Sequence, residues 1–317
     1  MLLVGLMGML TVGATAFYGF DALLSEGEDE GANAAPQPGD GADTGNSEYM
    51  DIPAVEDDSG GTIATGTATD DNLQGTQAPD QMNGYAGDDQ IDGLAGRDDL
   101  HGERGHDTLA GSEGQDTLHG GDGNDHLSGG MDADTLYGGN DDDSLEGDYG
   151  DDSLVGSDGN DTLTGGAGAD ALHGDQGDDN LAGGTGQDTL FGGLGNDTLN
   201  GADDTDTDYL NGGSGDDQIT AGTGDIASTG NGADTVSLDA RLISDHQPLI
   251  TDFSAEEDSL AVIYDDLADP DPEVTIEDDP DQDGRLSLLL NGNVVASLDN
   301  APDLMLSHIT LIPQSSL

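Results

Sequence analysis

From Asp71 to Asp197 every ninth residue is an aspartate, and the spacing resumes at Asp208 and Asp217 after a short insertion. A carboxylate is a hard oxygen donor. A regular row of carboxylates suits a hard cation held through oxygen, above all Ca2+, which takes about six to eight oxygen ligands at about 2.3–2.6 Å. Mg2+ demands a smaller octahedral cage and keeps its waters, so it fits less well. The neighbours of each aspartate complete the donor set. Gly120-Gly121-Asp122-Gly123-Asn124-Asp125-His126-Leu127-Ser128 is one good copy, and Gly192-Gly193-Leu194-Gly195-Asn196-Asp197-Thr198-Leu199-Asn200 is another. Glycines at positions 1, 2 and 4 let the backbone take φ > 0 and turn tightly, which aims carbonyl oxygens at one spot. The aspartate at position 6 adds a carboxylate at the end of the turn.

The elements that must hold these turns follow from the same period. Seventeen units begin at Gly66, Gly75, and so on every nine residues to Gly201, and then at Gly212. With one insertion allowed after Gly201, position 6 is always Asp and position 8 always apolar, from Leu73 through Met82 and Ile91 to Ile219. Such self-similarity is the mark of a stacked repeat architecture. In most copies positions 7 to 9 read polar–apolar–polar, a three-residue strand with one side chain inward. Two units make an 18-residue coil of turn, strand, turn, strand. Stacked coils place equivalent turns about 4.8 Å apart, so Asp107 is expected beside Asp125. One apolar side chain per unit does not offset the ordering of eight other residues. The repeats are therefore expected to be disordered without calcium, with binding free energy becoming folding free energy.

Composition points the same way. Among 317 residues there are 69 Asp and Glu against four Arg and no Lys, for a formal net charge of −65. Such a balance speaks against nucleic acid and against anionic membrane surfaces, and for cations. With no Cys, neither a disulfide framework nor a thiolate metal site exists.

Four segments are expected: 1–24, 25–65, 66–236 and 237–317. Residues 2–20 are uncharged and mostly apolar, long enough for a membrane-anchoring helix and, at Ala14-Thr15-Ala16, compatible with a cleaved signal. Residues 25–65 are acidic and aperiodic, a self-repelling linker. Residues 237–317 read as a small β domain capping the repeats, with Leu286–Leu290 and Val294–Leu298 joined as a hairpin through Asn291-Gly292-Asn293.

The repeats closely resemble the RTX nonapeptide family, Gly-Gly-x-Gly-x-Asp-x-(Leu/Ile)-x, from Gly66 to Thr220. The resemblance implies an all-β fold, a right-handed parallel β-roll, with several Ca2+ ions between turns. It implies that the position-6 aspartates are side-chain ligands, with turn carbonyls supplying the rest. The role carries over to Asp89, Asp98, Asp107, Asp116, Asp125, Asp134, Asp143, Asp152, Asp161, Asp170, Asp179, Asp188, Asp197 and Asp217. Asp71 and Asp80 sit in glycine-poor turns, and Asp208 follows the insertion, so none of the three is assigned. Asp132 and Asp141 stand at position 4 where Gly is expected, which weakens those turns. The resemblance also implies export from a Gram-negative bacterium to the cell surface or medium, through secretion machinery that reads a C-terminal signal. The N-terminal apolar stretch departs from that pattern.

Other signals are weaker. Asp279-Pro280-Asp281-Gln282-Asp283-Gly284 opens like an EF-hand loop, but position 12 is Leu290 rather than Glu. At position 9 one strand ladder reads His101, His119, Tyr137, Val155, His173, Phe191 and the other Asp92, Ala110, Ser128, Glu146, Thr164, Ala182, Asn200. The drier face is a candidate docking surface for the C-terminal segment or a protein partner, against the plainer reading of β-propensity. No H-E-x-x-H or G-x-S-x-G occurs, so no enzyme is expected. The sequence reads as a calcium-binding protein. The alternatives are an accessory module of an extracellular toxin and a surface adhesion or matrix protein.

Overall fold

The computed structural model describes residues 55–56, 60–241, 246–279, 282 and 284–316. The apolar stretch 2–20 and most of the acidic linker lie outside the described residues, as do Pro280, Asp281 and Asp283 of the EF-hand-like loop. No helix among the described residues is long and apolar enough to cross a membrane.

The repeats form a parallel β-roll. Successive units alternate between two sheets, so each strand pairs with the one two units later. Strand Thr117–Asp122 of the first sheet pairs in parallel with Thr135–Asn140, placing Leu118 opposite Leu136 and His119 opposite Tyr137. Strand His126–Met131 of the second sheet pairs with Ser144–Tyr149, placing Leu127 opposite Leu145. The register is 18 residues per coil through the regular repeats. It is 20 across the insertion, where Thr189 pairs with Tyr209, and 17 beyond it, where Tyr209 pairs with Ile226.

Most regular strands are six residues long rather than three, because positions 1 to 3 continue the ladder begun by positions 7 to 9. The turn is thereby confined to positions 4 to 6. Along Thr135–Asn140 only Leu136 and Gly138 are buried, so each strand contributes one side chain and one bare glycine to the interior. The core is a double file of single leucines, Leu100 to Leu199, each fully buried. It is thin, and it packs only along the axis and across to the other sheet.

The two sheets continue past the last repeat. Ser259–Tyr264 pairs in parallel with Thr235–Asp239, and Ile309–Pro313 with Ser259–Tyr264. Leu249–Ile250 pairs with Ile226–Ala227 and then with Ser297–Leu298 of strand Asn293–Asp299. The expected hairpin is present between Arg285–Leu290 and Asn293–Asp299, with positive φ at Asn291 and Gly292 (+53° and +77°), as a two-residue primed turn requires. The final strand, Ile309–Pro313, follows a short 3-10 turn at Leu306–His308. Val274–Asp278 adds an antiparallel edge strand that periodicity did not reveal.

Removing one core leucine should open a cavity that single-file packing cannot fill. Leu145→Ala is expected to destabilise the calcium-loaded protein by about 2–5 kcal/mol, measured by urea unfolding at fixed calcium. A loss below about 1 kcal/mol would show that the leucine file is not the core.

Candidate metal centre

Each interior position-6 aspartate is tied into three consecutive coils. The backbone N–H of Asp107 donates to Asp125 Oδ1 at 2.8 Å, and Asp107 Oδ1 accepts from the N–H of Asp89 at 2.7 Å. The Asp107 carbonyl accepts from the N–H of His126 at 2.9 Å. The same geometry recurs along two edges. One column runs Asp71, Asp89, Asp107, Asp125, Asp143, Asp161, Asp179, Asp197, Asp217, Asp234, Asp258. The other runs Asp80, Asp98, Asp116, Asp134, Asp152, Asp170, Asp188, Asp208, Asp225.

Fixing Oδ1 in this way leaves Oδ2. Among the described residues, sixteen of these aspartates hold an Oδ2 that is buried and has no hydrogen-bond partner: Asp89 to Asp217 at every repeat, and Asp234. A buried anionic oxygen without a donor costs several kcal/mol unless a cation meets it. All fourteen sequence-assigned aspartates belong to this group, and it also contains Asp208 and Asp234.

The space in front of Oδ2 is kept open by glycine. An ideal Cβ on Gly120 would lie 2.4 Å from Asp125 Oδ2 and 2.6 Å from the Gly138 carbonyl oxygen. On Gly165 it would lie 2.4 Å from Asp170 Oδ2 and 2.5 Å from the Gly183 carbonyl. The expected φ > 0 at position 1 is therefore corrected: Gly120 and Gly165 lie in ordinary strand, and their missing side chain matters for room. Positive φ belongs to positions 2 and 4, as at Gly121 (+124°) and Gly123 (+120°). Asp132 and Asp141 at position 4 take the same left-handed conformation (+73° and +75°), which Asp tolerates better than most residues. Asp134 and Asp143 stay in the columns.

Electrostatics record the strain. Burial pushes Asp134, Asp143 and Asp208 up to about 8, with stacked aspartates above and below adding to the rise and the backbone hydrogen bond opposing it. Asp98, Asp125, Asp170, Asp179 and Asp217 are raised to about 7 for the same leading reason. Asp89, Asp152, Asp161 and Asp234 are raised to about 6.

This donor set of buried, unpaired carboxylate oxygens facing carbonyls, with no nitrogen or sulfur, fits a hard divalent cation such as Ca2+. Family comparison agrees. Overlapping copies of the RTX calcium-binding nonapeptide repeat match from residues 65–100 through 204–236, without a gap and over more than half of the chain. The chain belongs to the RTX calcium-binding nonapeptide-repeat family. No curated protein matches it.

The ends of both RTX columns are closed differently. Asp80 Oδ2 accepts the N–H of Thr76 at 2.6 Å, and Asp71 Oδ2 that of Thr67 at 2.5 Å. Asp225 Oδ2 accepts the N–H of Gly222 at 2.6 Å, and Asp258 Oδ2 that of Ser254 at 2.7 Å. A backbone donor three or four residues upstream stands where the interior turns present a bare oxygen. Sequence reasoning placed Asp208 at position 6 without assigning it, and did not assign Asp225, Asp234 or Asp258, because insertions and a shortened coil break the nine-residue count. A further ladder also escaped it. On the edge of the first column, position-5 side chains accept the next coil's N–H, as Asp142 from Asn160 (2.8 Å) and Asn160 from Asp178 (2.8 Å).

Two outcomes are expected. Because folding raises the column pKa values above the ordinary 3.8, the protonated form favours the metal-free fold. That stability is fully present below about 3.8 and is lost as pH climbs through about 6 to 8. In chelator, the β circular-dichroism signal should therefore be larger at pH 4 to 5 than at pH 9, and a flat or inverted profile would refute the burial assigned to these carboxylates. Separately, Gly165→Ala should weaken calcium binding by intruding on Asp170 Oδ2, whereas Thr164→Ala, exposed at position 9, should leave it unchanged.

Proposed function

We propose that the chain is an extracytoplasmic calcium-binding protein whose roll forms when calcium meets the two aspartate columns. The observation that carries this reading is the row of buried Oδ2 atoms without partners. The residues that would hold the ions are Asp89, Asp98, Asp107, Asp116, Asp125, Asp134, Asp143, Asp152, Asp161, Asp170, Asp179, Asp188, Asp197 and Asp217, joined by Asp208 and Asp234, with carbonyl oxygens of the neighbouring glycines. Calcium, when bound, supplies the positive charge that these oxygens lack. The protein orients each carboxylate through Oδ1, keeps the cradle clear with glycine, and holds the leucine file in register.

Low cytosolic calcium would leave such a chain unfolded, and millimolar calcium outside the cytosol would fold it, which supports a secreted or surface location. The role we assign is binding rather than catalysis, with calcium as the folding switch. Residues 2–20 would tether or export the chain, and residues 237–317 would cap the roll and engage secretion machinery. The position-9 ladder on the first sheet stacks His173 on Phe191 at 4.9 Å with Phe191 exposed, which favours a surface-interaction role as the second reading.

Titrating the full chain with calcium from EDTA should give a cooperative rise in β signal at sub-millimolar to millimolar concentration, with magnesium ineffective. Asp143→Asn keeps an acceptor for Asp125 but removes the charge, and should raise the calcium midpoint. Asp225→Asn, at a closed end, should leave the number of bound ions unchanged. A chain that is equally folded in EDTA, or equal effects of the two variants, would refute the proposal.

A further inference from the structure

The outer face of the first sheet carries a cluster with a different donor set. Asp99 and His101 leave strand Asp99–Arg104 on the same side, two residues apart, and both are half-buried. His119, on the adjacent strand, pairs directly with His101. The two imidazoles stack with centroids 4.5 Å apart and planes within 6°. His101 Nε2 is 2.9 Å from Asp99 Oδ1. One donor atom from each of the three residues lies within 4.8 Å of the others. Tyr137 stacks on the far side of His119 at 4.8 Å and buttresses it.

Three features separate this cluster from an ordinary stacked ladder. The other position-7 residues along this face of the regular coils, Thr117, Thr135, Ser153, Ala171 and Thr189, carry no charge. The acid therefore coincides with the one place where two histidines adjoin. Second, Asp99 is half-buried on the outer face while its neighbour Asp98, at the end of the turn, is buried in the interior column, so the two adjacent carboxylates serve different sites. Third, His119 is half-buried and stacked on both faces, by His101 and by Tyr137, so its ring is held in place beside Asp99.

We infer that Asp99, His101 and His119 form a binding site for a borderline divalent transition metal, Zn2+ or Co2+ in class, distinct from the calcium columns. Two imidazole nitrogens and one carboxylate match such ions, whereas Ca2+ selects oxygen alone. Metal bonds of about 2.0–2.1 Å bring tetrahedral donors to roughly 3.3–3.5 Å of one another. The most widely spaced donors must close by up to about 1.5 Å, which rotation of surface side chains provides, at the expense of the parallel stack and the His101–Asp99 hydrogen bond. Three protein ligands leave a fourth position for water or an external ligand.

The test uses the full chain in millimolar calcium, so that the roll is formed and the carboxylate columns are filled. Co2+ is added and followed by its visible absorption. The expected result is one equivalent of Co2+ with an intense low-symmetry spectrum that Zn2+ abolishes. His101→Asn and His119→Asn should each weaken binding by at least the roughly 10–100-fold that loss of even an outer-sphere partner costs. Both should leave the calcium-dependent circular dichroism unchanged, which separates failure of this site from failure of the roll. Wild-type chain that gives no spectral change up to millimolar Co2+, or a double variant that binds Co2+ as the wild type does, would overturn the inference.

Discussion

The structure depends on one constraint, which is that at each interior turn of the two columns a carboxylate is buried with only one of its two oxygens satisfied by the protein. Oδ1 of each interior column aspartate takes the N–H of the preceding coil, and its own N–H reaches the next carboxylate, as from Asp89 through Asp107 to Asp125. This chain of bonds sets the coil spacing and the register of both sheets. It also concentrates negative charge along two lines, which burial makes worse, as the rise of Asp134 and Asp143 to about 8 records. The backbone alone does not resolve that repulsion, so the fold and its cation become one equilibrium.

The other features of the repeat serve this constraint. Glycine at position 1 leaves room in front of Oδ2, because even a methyl group would sit within hydrogen-bonding distance of it. The leucine file fills the space between the two sheets. The left-handed residue at position 4 lets the turn close within three residues, and the one at position 2 redirects the strand just before it, so six-residue strands follow one another in a nine-residue period.

A solenoid also has to stop. Open parallel edges invite further strands, and the chain manages both ends. At the start, Val55–Glu56 pairs antiparallel with Thr62–Thr65, and the first turns close their aspartates with threonine N–H groups. At the finish, Asp225 and Asp258 are closed in the same way, and the antiparallel strands Val274–Asp278 and Arg285–Leu290 replace the repeating edge. Arg285, one of the four cations of the chain, is anchored there by Asp299 at 2.7 Å.

The period, the alternation of sheets, the identity of the core file and fourteen of the column aspartates were legible in the sequence, because each is a local rule repeated at constant spacing. Asp71 and Asp80 differ from them only in their glycine-poor turns, and the structure shows why that matters: without φ > 0 at position 2, the Thr67 and Thr76 N–H groups turn back onto the carboxylates. The stacking partner of Asp208 and the column places of Asp225 and Asp234 were hidden, since coils of 20 and 17 residues obey the geometry of the column and not the count along the chain. The division of labour between Oδ1 and Oδ2, the spatial reason for glycine at position 1, and the meeting of Asp99 with His101 and His119 arise between residues on neighbouring coils. Sequence by itself determined what each turn could offer, because turn chemistry is local. Tertiary structure decided which oxygen remained free, because a carboxylate's partners come from the coils stacked before and after it.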